Sequence, residues 1–414
     1  MLDQQPKYDD YRNSGEVWLG DIPSDWNLEC IRAVTELKSK RGEPDLPVLS
    51  VYRDYGVILK DSRDDNHNAT SLDTSNYKVV APGDLVVNKM KAWQGSMGVS
   101  AYEGIVSPAY ITCRTDPSKI VPGFLHYTLR SQPFIAVYNS LSYGVRIGQW
   151  DMHYDDFKKI PLAYPDIDTQ NRIVSFLDEK TAEIDAAIEK KRRLIDLLNE
   201  QKAILINRAV TKGLNPDAPM KISGVDWIGE IPAHWDCAPL KWHLRVSSGE
   251  FLDGSKMVAE FDEAKPVPVV GGNGIMGYTS APSTTEQETL VIGRVGALCG
   301  NVHLFTRPIW VTDNAILVAY SQCLFGAYLA STLDALDLNR LANKNAQPLI
   351  TGTMIKAQSI PIPPFDEQSK INGFIAQTSA DIALAIASER KTITTLNEFK
   401  QTLIANSVTG KIKI

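Results

Sequence analysis

Lys89, Lys91, Trp93 and Gln94 stand within one short stretch. They combine cations, an aromatic ring and an amide, a set of side chains suited to nucleic acid. Arg and Lys match guanine or phosphate, and Gln and Asn match adenine. Arg146 and Gln149 form a second such group in a glycine-containing stretch, Gly144 to Gly148. In the second half of the chain Arg294 takes the place of Lys89, and Asn343, Lys344, Asn345 and Gln347 take that of the Arg146 stretch. These are the candidate DNA contacts. The alternative for each is an ordinary solvated side chain.

Catalytic patterns are broken by comparison. Gly249 to Lys256 approaches a phosphate-binding loop, but its Ser255 and Lys256 are in the wrong order to serve phosphate and magnesium. Ser107-Pro108-Ala109-Tyr110 faintly resembles the Asn/Asp-Pro-Pro-Tyr/Phe motif of amino-methyltransferases, without the residue that accepts from the target amino group. Glu263-Ala264-Lys265 has the form of the last part of a nuclease site, with no convincing acidic partner upstream. The six histidines have no metal-ligand spacing. No catalytic or metal site is expected in this chain.

Two long helices must position the candidate contacts. Over residues 170–210 an apolar seam runs through Ile173, Leu177, Thr181, Ile184, Ile188, Lys191, Ile195, Leu198, Lys202, Leu205 and Ala209. Steps of four and three alternate, which is a heptad pattern. Ile371, Ile375, Ser379, Ile382, Ile386, Glu389, Ile393, Leu396, Lys400, Leu403 and Ser407 repeat the steps near the C-terminus. Each stripe is too apolar to leave in water, so the spacing predicts that the two helices pack on each other, antiparallel.

The repeat extends beyond the helices. Trp18-Leu19-Gly20-Asp21-Ile22-Pro23-Ser24-Asp25-Trp26 returns as Trp227-Ile228-Gly229-Glu230-Ile231-Pro232-Ala233-His234-Trp235, within segments 14–26 and 223–235. Between each segment and the helix after it lies a globular region, 27–157 or 236–356. Leu85-Val86-Val87 aligns with Leu290-Val291-Ile292, Gly95 with Gly300, and Val106-Ser107 with Val311-Thr312. Short Val/Ile runs between Pro-Gly and Gly-Asn turns predict strands, for example 77–80 and 267–270. Helical stretches are expected over 124–138 and 325–341. Proline-rich lead-ins follow, Ile160-Pro161-Leu162 and Ile360-Pro361-Ile362-Pro363-Pro364, where proline is expected to stop any sheet and Asp168 or Asp366 to cap the next helix. The expected fold class is α+β: two β-rich domains separated by two long antiparallel coiled-coil helices, with pseudo-twofold symmetry. The expected boundaries are 1–157, 158–214 with a Gly/Pro-rich linker, 215–356 and 357–414.

A chain of 414 residues, 43% hydrophobic and 22% charged, is ordinarily globular and large enough for two to three domains. No apolar run reaches the length of a membrane span, and five scattered cysteines fit reduced thiols, so a cytoplasmic location is expected. A net charge of −6 asks any DNA surface to be a local patch or to be completed by another subunit.

Two variable globular regions, each preceded by Trp-x-Gly-x-Ile-Pro-x-x-Trp and followed by a proline-flanked Gln-x-x-Ile (Gln170 to Ile173, Gln368 to Ile371) and a long helix, resemble the specificity subunit of type I restriction–modification enzymes. The resemblance covers essentially the whole chain. One departure is Thr169 before Gln170, where the second half has Glu367. The resemblance implies that each region is a target-recognition domain reading one half of a split, asymmetric double-stranded DNA site. It further implies that the helices act as spacer and as docking surface for two methyltransferase subunits, and that motor-nuclease subunits join them. S-adenosylmethionine, ATP and Mg2+ would belong to those partners, because flipping and methylating a base needs a deep pocket that this sequence does not show. A coiled-coil scaffold joining two protein-binding domains, or a restriction enzyme with an unrecognised site, are the alternatives.

Overall fold

A computed structural model describes residues 6–62, 70–71, 73–146, 149–343 and 348–414. Its α-helices are α1 (Pro122–Leu129), α2 (Gln132–Leu141), α3 (Tyr154–Phe157), α4 (Ile167–Lys212), α5 (Gly326–Ala335), α6 (Gly352–Lys356) and α7 (Phe365–Val408). Contacts divide the chain into two compact units. The first comprises residues 1–191 and 390–414, the second 192–389, so α4 and α7 contribute to both.

In the first unit four strands pair antiparallel in the order Thr35–Leu37, Ile111–Thr115, Leu85–Val87, Met97–Val99. Successive side chains of a strand point to opposite faces, and Leu85-Val86-Val87 shows the consequence. Leu85 and Val87 join Phe124, Leu125 and Leu129 of α1 in one cluster. Val86 turns the other way, onto Leu49, Val51 and Val57 of the hairpin Leu49–Tyr52/Gly56–Leu59. A sheet covered on both faces explains the unbroken apolar triplet. Each such buried Leu or Val contributes about 1.5–3 kcal/mol.

The second unit repeats the plan. Its sheet runs Leu244–Ser248, Ala315–Tyr320, Thr289–Gly293, Val302–Phe305, again antiparallel. Leu290 and Ile292 pack with Leu329 and Leu333 of α5. Val291 faces Val270 and Val311 of a three-stranded sheet, Gly274–Thr279, Val267–Gly271, Trp310–Val311.

The two long helices pair as an antiparallel coiled coil. In the first unit Ile173, Leu177, Ile184 and Ile188 share a cluster with Leu403 and Val408, flanked by Ile393 and Leu396. Asp185 accepts from the Lys400 ammonium at 2.6 Å across the pair. In the second unit Ala209 and Val210 meet Ile371 and Ile375. Ile382 is buried, and Ile195, Leu198, Leu205 and Ile386 are half-buried. Gly213 and Gly410 end the two helices with φ of +71° and +70°. A β-carbon on either would strike the repeat segment, 2.9 Å from the Trp235 ring or 2.4 Å from the Pro23 ring. Glycine is thus required twice over, by conformation and by space.

Four local expectations are corrected. Pro161 and Pro361 do not stop the sheet: Pro161–Tyr164 pairs with Asn27–Cys30, and Ser359–Ile362 with Asp236–Pro239. Both are two-stranded ladders, in which a proline can turn its missing N–H away from its partner. The helical stretch 124–138 is two helices, broken at Arg130 and Ser131, because Pro133 has no N–H to give the Leu129 carbonyl and its ring would strike that carbonyl in a continuous helix. The stretch 325–341 ends its α-helix at Ala335, and Asp337, at φ +53°, turns the chain into a short 3-10 helix. Asp166, rather than Asp168, caps α4, accepting from the Thr169 backbone N–H at 2.9 Å, and Asp366 lies within the first turn of α7, which begins at Phe365.

The departure at Thr169 has a physical correlate. In the second unit Glu367 accepts from the Trp235 indole N–H at 2.9 Å and lies 2.7 Å from His234 Nε2. In the first unit the equivalent Trp26 indole N–H is buried beside Tyr8, with no carboxylate to accept it. Asp25 stands where His234 stands, so a glutamate at 169 would face a like charge, and threonine bonds to Asp166 instead. Thr169→Glu and Asp25→His should therefore stabilise more together than the sum of their separate effects, by a coupling of about 0.5–3 kcal/mol. Urea unfolding of the four proteins measures that coupling, and strictly additive effects would contradict it.

Candidate nucleic-acid interface

In both sheets the same inner strand leaves the core at an equivalent end. In the first unit Leu85–Val87 runs out into Asn88 and Lys89. The loop then turns through a 3-10 helix, Ala92–Gln94. The hairpin Tyr143–Arg146/Gln149–Asp151 clasps this loop. Met152 donates its N–H to the Lys89 carbonyl at 2.9 Å, the Lys89 ammonium lies 3.3 Å from Asp151, and Trp93 meets Trp150 edge to face with centroids 5.1 Å apart. Lys91 and Gln94 lie in the same loop, whose Lys89 and Trp93 are thereby held against the hairpin. Arg146 and Gln149 face each other in its backbone pairing, and their side chains lie outside the described residues.

The contacts separate these side chains by role. Lys91 is exposed, and Gln94 is half-buried. Trp93 is half-buried, with its indole N–H enclosed, and it anchors the hairpin. Lys89 is held by an exposed ion pair, worth only about 0.2–1 kcal/mol. Sequence reading missed the clasp itself, because Trp150 and Asp151 meet the loop only through long-range contact. It also missed Asn88, which is 7% exposed and donates its amide to the Tyr110 hydroxyl at 3.4 Å.

In the second unit Thr289–Gly293 runs out into Arg294. The Arg294 N–H donates to the Asn314 carbonyl at 3.0 Å. Its guanidinium approaches the Ser248 hydroxyl at 3.3 Å and the Asp313 carbonyl at 3.4 Å, long contacts that leave donors to spare. A cleft of about 200 Å³ lies beside it, lined in part by Ser247, Ser248 and Thr351. The tight turn Gly272-Asn273 presses on the same place: a β-carbon on Gly293 would sit 2.3 Å from the Gly272 carbonyl oxygen. Asn273 is therefore exposed at a hairpin tip beside Arg294. The Gly-Gly-Asn-Gly signal marked that turn, but nothing local placed it against Arg294. Asn343 and Val295 both pair with Leu349. The stretch carrying Asn343 is thus anchored next to Arg294, while Lys344, Asn345 and Gln347 lie outside the described residues.

The broken catalytic patterns form turns. Asp253 caps Ser255 in the 3-10 helix Gly254–Lys256, and Asp262 accepts from the Ala264 N–H. Ser107 accepts from the Ala109 N–H. Among the described residues no group of His, Cys, Asp and Glu is placed to hold a metal ion, and no helix is long and apolar enough to cross a membrane.

Residues 249–394 match the family model described as the type I restriction modification DNA specificity domain. Over 125 residues the chain is 30% identical to the type I restriction enzyme EcoprrI specificity subunit of Escherichia coli, a match spanning 30% of this chain and 31% of that protein. Against the putative type I restriction enzyme MjaX specificity subunit of Methanocaldococcus jannaschii it is 22% identical, with 97% of each chain covered. Two solved structures share the fold, each at 16% identity and covering 94% of this chain and 98% of the other. One, with a TM-score of 0.71, comes from work on assembly and conformational transition of the type I restriction–modification system. The other, with a TM-score of 0.55, is the HsdS subunit from Thermoanaerobacter tengcongensis. Residues 249–394 thus match the type I specificity domain, and over nearly its whole length the chain is similar to type I restriction–modification specificity subunits and shares the fold of the solved structures.

Proposed function

We propose that this chain is the DNA-reading, non-catalytic subunit of a type I restriction–modification complex, in which each globular region reads one half of a split, asymmetric site. The observation that carries this is the repeated strand exit. Two diverged sheets present a cation at the same exit of the same strand, Lys89 beside the hairpin of residues 143–151 and Arg294 beside the tip of the hairpin of residues 267–279. A retained frame with diverged loops suits two readers of different targets. Cations there supply the local patch that a net charge of −6 otherwise withholds.

The spacer helices are proposed to carry two methyltransferase subunits, with motor-nuclease subunits joining them. Leu194, Leu197 and Ile204 support this, at steps of three and seven on α4 and 38%, 45% and 59% exposed. That is a second apolar stripe outside the seam, spaced to receive another helix. S-adenosylmethionine, ATP and Mg2+ are assigned to those partners.

Lys89→Ala and Arg294→Ala in the assembled methyltransferase complex test the reading. Loss of a base contact should cost about 1–3 kcal/mol at one position of one half-site, and loss of a phosphate contact should weaken all sequences alike. Each variant should affect its own half-site only. Unchanged affinity and methylation in both would remove these residues from the interface, and a complex without salt-dependent DNA binding would favour a protein scaffold.

A further inference from the structure

Gln170 and Gln368 are fully buried, and each is the fourth residue of its long helix. In the first unit the Gln170 side-chain oxygen accepts from the Val121 N–H at 2.7 Å, and its amide donates to the carbonyls of Lys119 and Pro165, both at 2.9 Å. In the second unit Gln368 accepts from the Phe325 N–H at 2.7 Å and donates to the carbonyls of Cys323 at 2.8 Å and Pro363 at 2.9 Å. Val121 and Phe325 are the residues that begin α1 and α5. One amide therefore ties three segments: the first turn of the long helix, the strand end that leads into it, and the start of the globular region's own helix. No other side chain of this length offers one acceptor and two donors. A carboxylate loses the donors, and an aliphatic chain loses all three bonds.

Packing alone brings these segments together. A β-carbon on Gly123 would sit 2.9 Å from Val174, and Phe325 meets Phe365 edge to face at 6.0 Å. Apolar contact is non-directional, and other directional ties, Tyr127 to Asp178 at 2.7 Å in the first unit and Tyr328 to the Val210 carbonyl at 3.1 Å in the second, are single bonds from one hydroxyl about which the region can still rock. Three short hydrogen bonds from one rigid amide remove that freedom. Resting on the function proposed above, we infer that Gln170 and Gln368 are positioning residues that lock each reader to its spacer helix, so that the complex accepts one gap between half-sites. A helix transmits its length to DNA only if the joint at its end does not swivel. One base pair is about 3.4 Å, so a small rocking motion admits a neighbouring gap.

The experiment uses the full methyltransferase complex on DNA carrying both half-sites at the native gap and at one base pair more and fewer. The wild-type complex should methylate the native gap alone. Gln170→Met and Gln368→Met, with nearly the same volume, should assemble and methylate the neighbouring gaps, with discrimination lowered about tenfold and the bases read within each half-site unchanged. Gln170→Glu and Gln368→Glu, as neutral acids, keep the acceptor and one of the two donors, should lie between when assayed at low pH, and decide the matter if the methionine variants fail to assemble. An assembled variant that keeps full gap discrimination overturns the inference, as does one that loses methylation equally at every gap. Wild-type protein that methylates no split site would sink the proposed function instead.

Discussion

Trp235→Ala is expected to destabilise the second unit by about 3–5 kcal/mol, the usual cost of emptying a large aromatic site in a core. Trp235 is fully buried among Val210, Ile231, Tyr328, Ile371 and Ile375, and it holds the start of the second half against both long helices. Its indole N–H is answered by Glu367. Trp26→Ala should cost a similar amount in the first unit, where the ring lies edge to face against Phe124 and Tyr8. The phenylalanine variants should separate the two sites. Trp235→Phe gives up a charge-assisted hydrogen bond, whereas Trp26→Phe removes a buried donor that no carboxylate answers and should be the milder change. Urea unfolding with probes in each unit reads these differences. A loss below about 1 kcal/mol for either alanine variant would mean that the site refills.

The helix pair should behave as a ruler. The 46 residues of α4 span about 69 Å at 1.5 Å each. Half-sites about 34 Å apart present their major grooves to the same side of the duplex. Inserting one heptad into both helices, near Ile195 and Ile393, keeps the seam in register and lengthens the pair by about 10 Å, or roughly three base pairs. That variant should keep both half-targets and methylate sites with a longer gap. A two-residue insertion turns the remainder of each helix by about 200° and should destroy assembly. Mapping modified adenines in the heptad variant reads the gap directly, and an unchanged gap in an active complex would show that the helices do not set it.

Regular spacing made the frame readable. Ile173, Leu177 and Ile184 repeat at heptad steps whatever lies around them, so the seam was legible from one chain. The inner strands were legible as apolar triplets, Leu85 to Val87 and Leu290 to Ile292, because burial on both faces erases alternation. Features that depend on contacts distant in sequence were not. The ion pair of Lys89 with Asp151 and the meeting of Gly272 with Gly293 join residues about 20 to 60 positions apart, with no local pattern to announce them. The repeated Gln-x-x-Ile was visible, yet the amide's three partners appear only when the helix is folded against its domain. Proline misled at Pro161 and Pro361 because its cost in a sheet depends on whether the strand has one neighbour or two, which composition does not carry.

The most direct test is a base-resolution map of methylated adenines in cells that carry this chain with its methyltransferase partner, compared with cells that lack only this chain. The expected result is methylation confined to one asymmetric motif, two specified half-sites with a fixed unspecified gap, that vanishes with the chain. Chain-dependent methylation of an uninterrupted motif, or no chain-dependent methylation at all, would contradict the assignment of two readers on one spacer.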